Sequence, residues 1–320
     1  MCMRLIIVSL AFLPLLFSCS GQEELTTSSS CPEQENIPAG ITRVAFKSGP
    51  QPQCVYIFRK EGNSFRYDST ITGGWSAEGT MTARLLVGDY KFLFTGPLDN
   101  QTNVLPASLD HTVTFEQLCF ATLTDSEHPG NILPAGELFL PEPTVADSVY
   151  TIAGGDEIEC TLKRRVAQLT FILKRGYKEG DDYIPQPYSE GHHVLENIRE
   201  LRVELTGIAR QCNYLNTSGE GMLIRNYSTA EYESIDTQGF ATFTGPFVFP
   251  SATGTSAGLN ITLVPVSGEP YPPLQLSGKL EANRKLEVSL WLTSSYFDIG
   301  VTIQNLPISG QTNGDEGIWE

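Results

Sequence analysis

Glu159-Cys-Thr-Leu-Lys-Arg-Arg-Val-Ala-Gln-Leu-Thr-Phe-Ile-Leu173 is the stretch with the strongest strand signal in this 320-residue chain. Its second half consists mainly of apolar, β-branched and aromatic residues, which fit the pleated surface of a sheet. Shorter stretches of the same kind precede it at 41–46, 54–58, 64–67, 80–87, 90–94, 112–115 and 138–140. Others follow it at 198–205, 241–243, 247–249, 259–264, 285–292 and 299–303.

These stretches are short, and Gly, Pro, Asn and Asp separate them. The charges at 198–205 resemble those of a helix, but Leu201, Val203 and Leu205 alternate with charged residues, as in a strand with one wet face. No stretch predicts a long helix. Many short strands at near-regular spacing are typical of sandwiches. The sequence therefore predicts an all-β chain with two tandem β-sandwiches.

The N-terminus has the organisation of a secretory signal. Arg4 precedes an apolar run at 5–17, and a small residue and Cys19 follow it. The run is shorter than the roughly 20 apolar residues that span a bilayer. Leu16-Phe17-Ser18-Cys19 resembles the bacterial lipobox, in which cleavage before the cysteine leaves that residue to carry the lipid. We therefore expect lipidation of Cys19; the alternative is an ordinary secretory signal with a cysteine at that position.

The residues after Cys19 predict a flexible tether. The segment 20–36 is polar and has too little apolar surface to offset the entropy of ordering. Within it, Gln22-Glu23-Glu24 resembles the acidic signal that exports lipoproteins to the cell surface in Bacteroidetes. The length of the remaining chain suits two domains. We predict a lipoprotein signal peptide at 1–18, a tether at 19–36, and sandwiches at 37–155 and 156–320, with a boundary loop at 150–156.

The charge of the chain restricts its partners. The formal net charge is -16, so an acidic surface disfavours nucleic acid and anionic lipid headgroups. After the signal peptide and the lipidated residue, five cysteines remain: Cys31, Cys54, Cys119, Cys160 and Cys212. Export permits disulfides, and Cys31–Cys54 is one candidate pair. The alternative is that several of the five are small buried apolar residues.

No motif predicts catalysis or a cofactor. Gly254-Thr-Ser256-Ala-Gly258 has the G-x-S-x-G form of a hydrolase nucleophile elbow, but a strand-like stretch follows it where the elbow needs a helix. The pairs His192-His193 and Asp181-Asp182 have no third ligand at metal-binding spacing, so they predict solvated loops. We therefore expect no catalytic residue, no cofactor and no metal site.

The three tryptophans bear on glycan binding. Trp75 lies in a turn-like setting and Trp319 is next to last, so both are candidate stacking platforms. Trp291 is flanked by leucines on a strand-like stretch, which favours core packing.

Two segments carry a family resemblance, together with the lipobox and the acidic tether. Gly88-Asp-Tyr-Lys-Phe-Leu-Phe94 in the first half and Leu162-Lys-Arg-Arg-Val-Ala-Gln-Leu-Thr-Phe171 in the second resemble Bacteroidales fimbrial subunits, most of all their FimB-like anchor branch. The resemblance implies transthyretin-like sandwiches, no catalysis, and a lipid-anchored, surface-exposed position at the outer membrane. It also implies a role in type V pili and adhesion, with other fimbrial subunits as partners.

Shaft subunits of that family lose an N-terminal piece to an arginine-directed protease, and a partner strand then fills the open groove. Arg43 precedes the strand-like 44–46, so it is a candidate site for such cleavage. Arg164-Arg165 opens a predicted core strand, where cleavage would destroy the domain, so we expect no processing at that pair. The tail from Val301 onward is either a donor strand or an ordinary last strand. The sequence thus predicts a structural surface lipoprotein that anchors or joins a fimbria by strand addition. The alternative is a glycan-binding lipoprotein of a polysaccharide-uptake system.

Overall fold

The computed structural model describes residues 41–49, 54–77, 79–96, 104–106, 109–293 and 299–308. The predicted signal peptide, the predicted tether and Trp319 lie outside these ranges. Within them, no helix is long and apolar enough to cross a membrane.

Twenty strands make up most of the described chain. The first ten are β1 (Ile41–Gly49), β2 (Cys54–Glu61), β3 (Ser64–Thr72), β4 (Thr80–Leu86), β5 (Gly88–Thr95), β6 (Val104–Pro106), β7 (Phe120–Thr122), β8 (Phe139–Pro141), β9 (Tyr150–Ile152) and β10 (Asp156–Arg164). The second ten are β11 (Ala167–Glu179), β12 (Asp182–Pro185), β13 (Ile198–Cys212), β14 (Thr217–Ser228), β15 (Ser234–Ile235), β16 (Ala241–Val248), β17 (Ala257–Pro265), β18 (Leu274–Gly278), β19 (Arg284–Leu292) and β20 (Ile299–Pro307). The helical elements are α1 (Pro143–Ala146) and three 3-10 turns, at Phe115–Gln117, Val194–Glu196 and Thr229–Glu231.

The first sandwich consists of two four-stranded sheets, in the orders β4-β1-β10-β8 and β3-β2-β5-β9. Strand β4 shows why the sheets face each other, because Met81, Ala83 and Leu85 are buried while the residues between them are exposed. Their side chains share a core with apolar residues of β2, β5, β9 and β10, including Phe92 and Ile158. The alternation in the sequence thus becomes the pair of inward faces that meet between the two sheets.

The second sandwich consists of two six-stranded sheets. One has the order β15-β16-β11-β19-β20 with β12 added to β11, and the other has the order β18-β17-β13-β7-β6 with β14 added to β13. Inward residues such as Leu169, Phe171, Leu201 and Leu259 form the main core between these sheets. The all-β sandwich prediction is therefore confirmed, including the strand at 198–205.

A third cluster, which we call the junction core, lies where the two sandwiches meet. It comprises Cys54, Tyr56, Phe58, Leu93, Phe115, Leu118, Phe120, Ala135, Leu138, Leu140, Ala146, Val166, Ala209, Cys212, Tyr214, Phe249 and Ala252. Strands β2 and β5 contribute to the first core with one face and to the junction core with the other, so they are buried on both faces. The described residues, from 41 to 308, accordingly belong to one compact unit.

Three local predictions are wrong. The stretch 159–173 is not one strand, because β10 ends at Arg164, β11 begins at Ala167, and the two belong to different sandwiches. The predicted start of the second sandwich at residue 156 coincides with the start of β10, which pairs with β1 and β8 of the first. The stretch 112–115 is not a strand, because Thr114 and Gln117 form a capping box that starts a 3-10 turn at Phe115.

Candidate functional site

Strand β1 is the first described element after the predicted tether. It pairs antiparallel with β4, where Ile41 lies opposite Leu86, and parallel with β10, where Val44 lies opposite Asp156. Both of its backbone edges are therefore occupied within the first sandwich. Cys19, which is predicted to carry the lipid, lies outside the described residues.

The arginines considered as cleavage sites are held in folded structure. Arg43 lies within β1, where its backbone pairs opposite Arg84. Arg164 is the last residue of β10, and its guanidinium donates to Glu137 Oε1 from Nη2 at 2.6 Å and from Nε at 3.0 Å. Arg165 Nη2 donates to the carbonyl of Tyr214 at 3.3 Å. The Arg-Arg pair thus lies at the end of β10 rather than at the start of a strand, and a protease would have to unfold the chain locally to reach it.

The last strand, β20, pairs antiparallel with β19 along all nine of its residues. Val301 and Ile303 pack against the core of the second sandwich, and Trp291 Nε1 donates to Thr302 Oγ1 at 3.1 Å. Among the described strands, β20 pairs only with β19, so its other edge lies at the border of the described sheet. In this structure the segment is the last strand of its own sheet, and residues after Ile308 lie outside the described ranges.

A buried charge at the junction core escaped sequence reasoning. The Lys91 side chain is buried, and its Nζ lies 2.5 Å from Asp147 Oδ1 and 3.6 Å from Glu116 Oε1. The same Nζ lies 4.9 Å from the ring centroid of Phe115, within the range of a cation–π contact. Tyr214 Oη donates to Asp147 Oδ1 at 3.4 Å. Burial, with the charge of Asp147 as the next cause, raises the pKa of Tyr214 to about 12.

These contacts join four parts of the chain. Lys91 comes from β5, Asp147 caps α1, Glu116 belongs to a 3-10 turn, and Tyr214 follows β13. The only signal in the sequence is the nearly unbroken apolar run of β5 around Lys91, which indicates burial on both faces.

The tryptophans do not form an exposed aromatic platform in the described residues. Trp75 packs against the first core, and its Nε1 is buried without a described hydrogen-bond partner. Trp291 is 6% exposed, as the core-packing prediction requires. It lies on the outer side of its sheet, where Tyr183 of β12 stacks on it with ring centroids 5.6 Å apart.

The remaining candidate motifs have structural roles. Ser256 is exposed, but β17 follows it directly, so the segment lacks the strand–turn–helix geometry of a nucleophile elbow. His192 Nδ1 lies 3.1 Å from both carboxylate oxygens of Glu196, and this hydrogen bond lowers the pKa of Glu196. Asp181 and Asp182 are exposed at the β11–β12 turn. In the described part of the chain, no group of three His, Cys, Asp or Glu residues has metal-binding geometry.

The four described cysteines, Cys54, Cys119, Cys160 and Cys212, are free thiols. The candidate disulfide Cys31–Cys54 is therefore wrong, because Cys54 is a buried free residue of the junction core. Burial raises the pKa of Cys160 to about 12 and that of Cys212 in the same direction. A thiol with a raised pKa is a poor nucleophile and a poor metal ligand, so these residues pack as apolar side chains.

Solved structures share this fold. A proposed polysaccharide-binding protein from Bacteroides thetaiotaomicron VPI-5482 aligns with a TM-score of 0.53 and 13% identity, over 84% of this chain and 100% of that chain. A proposed adhesin from the same strain aligns with a TM-score of 0.51 and 14% identity, over 86% and 100%. The fimbrial anchor protein Mfa2 from Porphyromonas gingivalis aligns with a TM-score of 0.48 and 12% identity, over 83% and 97%. The search of curated proteins gave no match.

A family model identifies the family of this chain, which structural similarity at such low identity does not. The model for fimbrillin-A associated anchor proteins matches residues 45–270. The match covers more than half of the 320 residues and extends from β1 of the first sandwich into the loop before β18 of the second. On this match, the chain belongs to the family of fimbrillin-A associated anchor proteins Mfa1 and Mfa2.

Proposed function

We propose that this chain is a structural lipoprotein that holds a fimbria at the outer membrane, with Cys19 as its lipidated residue. Family membership supports the fimbrial role. The lipobox-like Leu16-Phe17-Ser18-Cys19 supports the membrane attachment. An acyl chain contributes about 0.8 kcal/mol per buried CH2, and two or more chains hold a protein stably. The acidic Gln22-Glu23-Glu24 supports exposure on the cell surface.

The observation that carries the proposal is that the two sandwiches pack against each other as one body. Strand β1 follows the predicted tether and is paired on both edges. The junction core, the Lys91–Glu116 ion pair and the hydrogen bond from Tyr214 to Asp147 then join the first sandwich to the second. A load between membrane and fimbria would therefore act on one packed body, and no catalytic step is part of the role.

We propose that the contact with neighbouring subunits is made by strand addition. The outer edge of β20 supports this, because it pairs with no other described strand. Backbone hydrogen bonds along such an edge give affinity, and alternate side chains give specificity. Because β1 occupies its place between β4 and β10, the proposal needs no cleavage at Arg43.

The test of the anchor role is deletion of the gene in its host, followed by electron microscopy of the cells and of the culture supernatant. We expect fimbriae that are released or altered in length. Fimbriae of normal length that stay attached to the deletion strain would overturn the proposal. A plasmid copy of the gene is the control and should restore attachment.

The alternative, a glycan-binding lipoprotein that uses Trp75 and Trp319 as platforms, has less support. Trp75 is partly buried and packs against the first core. Trp319 lies outside the described residues. A glycan array with the Trp75→Ala variant tests this alternative, and loss of a binding signal that the wild type gives would favour it.

A further inference from the structure

A concave groove lies on the outer face of the second sandwich, away from the junction core. Its volume is about 440 Å³, within the range of small-ligand sites. One row of its side chains crosses four neighbouring strands. Glu204 of β13 lies between Ile224 of β14 and Asn260 of β17, and Asn260 lies beside Gln275 of β18. Residues in register point to the same face, so these four side chains line the groove together.

A second row runs beside the first. Arg202 of β13 lies between Asn226 of β14 and Thr262 of β17. Glu200 Oε2 accepts from Arg202 Nε at 3.0 Å and from Nη2 at 2.9 Å, which fixes the plane of the guanidinium and balances its charge. The groove therefore presents amide, hydroxyl, guanidinium and carboxylate groups at adjacent positions.

The internal bonding of the groove is weak. Asn260 Nδ2 approaches Glu204 Oε1 at 3.5 Å, longer than an ordinary hydrogen bond. Amide side chains offer two donors and one acceptor oxygen each. A ligand with closely spaced hydroxyls, each of which both donates and accepts, could satisfy such groups without requiring a net charge.

The centre of the groove lies over paired strands. Strands β13 and β17 are interior strands with partners on both sides, so an added strand has no open edge there. A ligand over these two strands is therefore recognised by side chains. The net charge of -16 disfavours a polyanion. Ile224 is 48% exposed at one end of the first row and provides apolar contact for the C–H face of a ring.

We propose that this groove binds a neutral saccharide of a few hexose units, with Glu204, Asn260 and Gln275 bonded to its hydroxyls and Ile224 packed against a ring. The site is independent of the anchor role, because it uses neither Cys19 nor the outer edge of β20.

The experiment uses the mature full-length chain on an array of neutral glucan, mannan and galactan oligosaccharides of two to six hexoses. Isothermal titration with the best ligand then gives the dissociation constant. We expect Asn260→Ala and Gln275→Ala each to weaken binding about tenfold or more. Gln211→Ala is the matched control, because Gln211 is an exposed amide on β13 outside the groove, and it should bind like the wild type.

Three outcomes would overturn the site. They are no binding to any neutral oligosaccharide, an equal loss in Gln211→Ala, and binding that both groove variants retain. Gln275 is exposed on β18, at the edge of its sheet, so its truncation should leave the fold intact, and an unchanged unfolding midpoint checks this. Membrane fractionation of the groove variants should match that of the wild type, which separates this inference from the anchor role.

Discussion

Nζ of Lys91 lies 2.5 Å from Oδ1 of Asp147, beside the junction core. The Lys91 side chain is 9% exposed, whereas those of Asp147 and Glu116 are each 56% exposed. The arrangement removes one cation from water but leaves its two acidic partners partly solvated. The desolvation of Lys91 is offset by two carboxylates and by the rings of Phe65 and Phe115.

Replacement of this lysine should destabilise the whole body. We expect Lys91→Ala to lower the free energy of unfolding by about 2–4 kcal/mol, because it removes a buried stem and both ion pairs. Urea unfolding followed by circular dichroism measures the change. Lys60→Ala is the control: Lys60 pairs with Asp89 at 3.0 Å but its side chain is 46% exposed, so its loss should cost about 1 kcal/mol or less. Equal losses in the two variants would contradict a special role for the junction.

A close backbone approach in the second sandwich gives a second prediction. Gly207 has φ +68°, and a Cβ there would lie 2.4 Å from the carbonyl oxygen of Ser256. Gly254 has φ +84° with open space around it. In both Ala variants the left-handed backbone should lower the free energy of unfolding by about 1–2 kcal/mol. In Gly207→Ala it should fall by about 2 kcal/mol more, because β13 and β17 must separate. Thermal unfolding of both variants measures the difference, and Gly207→Ala should have the lower melting temperature. Indistinguishable melting temperatures would count against the close contact.

Alkaline pH should lower the stability of the fold through ionisation of Tyr227. Burial raises its pKa to about 12, from a usual value near 10, so between these values the unfolded chain releases a proton that the folded chain keeps. The neutral, buried hydroxyl of Tyr227 is therefore compatible with full stability below pH 10. The free energy of unfolding falls as the pH rises from 10 through 12. The hydroxyl is also buried without a described hydrogen-bond partner.

The Tyr227→Phe variant should therefore equal or exceed the wild type in stability at pH 7, within about 1 kcal/mol. Its advantage should grow between pH 10 and 12 by at most about 1.4 kcal/mol per pH unit. Denaturant unfolding at a series of pH values measures both effects. The exposed Tyr232→Phe serves as control, and a pH dependence that is the same in both variants would refute the argument.

Thiol labelling tests the assignment of free cysteines. Cys119 is half-buried, whereas Cys54, Cys160 and Cys212 are buried. Iodoacetamide at pH 8 should modify Cys119 first among these four in the native protein, and all four at similar rates in urea, as peptide mass spectrometry can follow. Native labelling of Cys160 as fast as Cys119, or isolation of a disulfide that contains Cys54, would contradict the structure.

The sequence predicted most strands because one face of each is buried. In β4 the alternation is strict, with Met81, Ala83 and Leu85 inward, and in β13 Leu201 and Val203 are buried between charged neighbours. Period-two patterns of this kind identify strands directly. They do not show to which sheet a strand belongs. The break between β10 and β11 within 159–173 could therefore not be predicted.

The junction core could not be predicted in the same way. It forms from the second faces of β2 and β5 together with a connecting segment, and these meet only after both sandwiches have formed. Lys91 looks like an ordinary outward residue between Tyr90 and Phe92. Its burial depends on Asp147 and Tyr214, which are 56 and 123 positions later in the chain. The pattern at 112–115 likewise predicts a strand, whereas Phe115 begins a 3-10 turn that Thr114 and Gln117 cap.

Attachment of a fimbria through a lipid on Cys19 is tested most directly by a single substitution. Cells that produce the Cys19→Ala variant are fractionated, and the protein and the fimbriae are followed in the membrane and soluble fractions. We predict that the folded variant leaves the membrane fraction and that fimbriae appear in the medium. If the variant stays in the membrane fraction and the fimbriae stay on the cells, the account is contradicted.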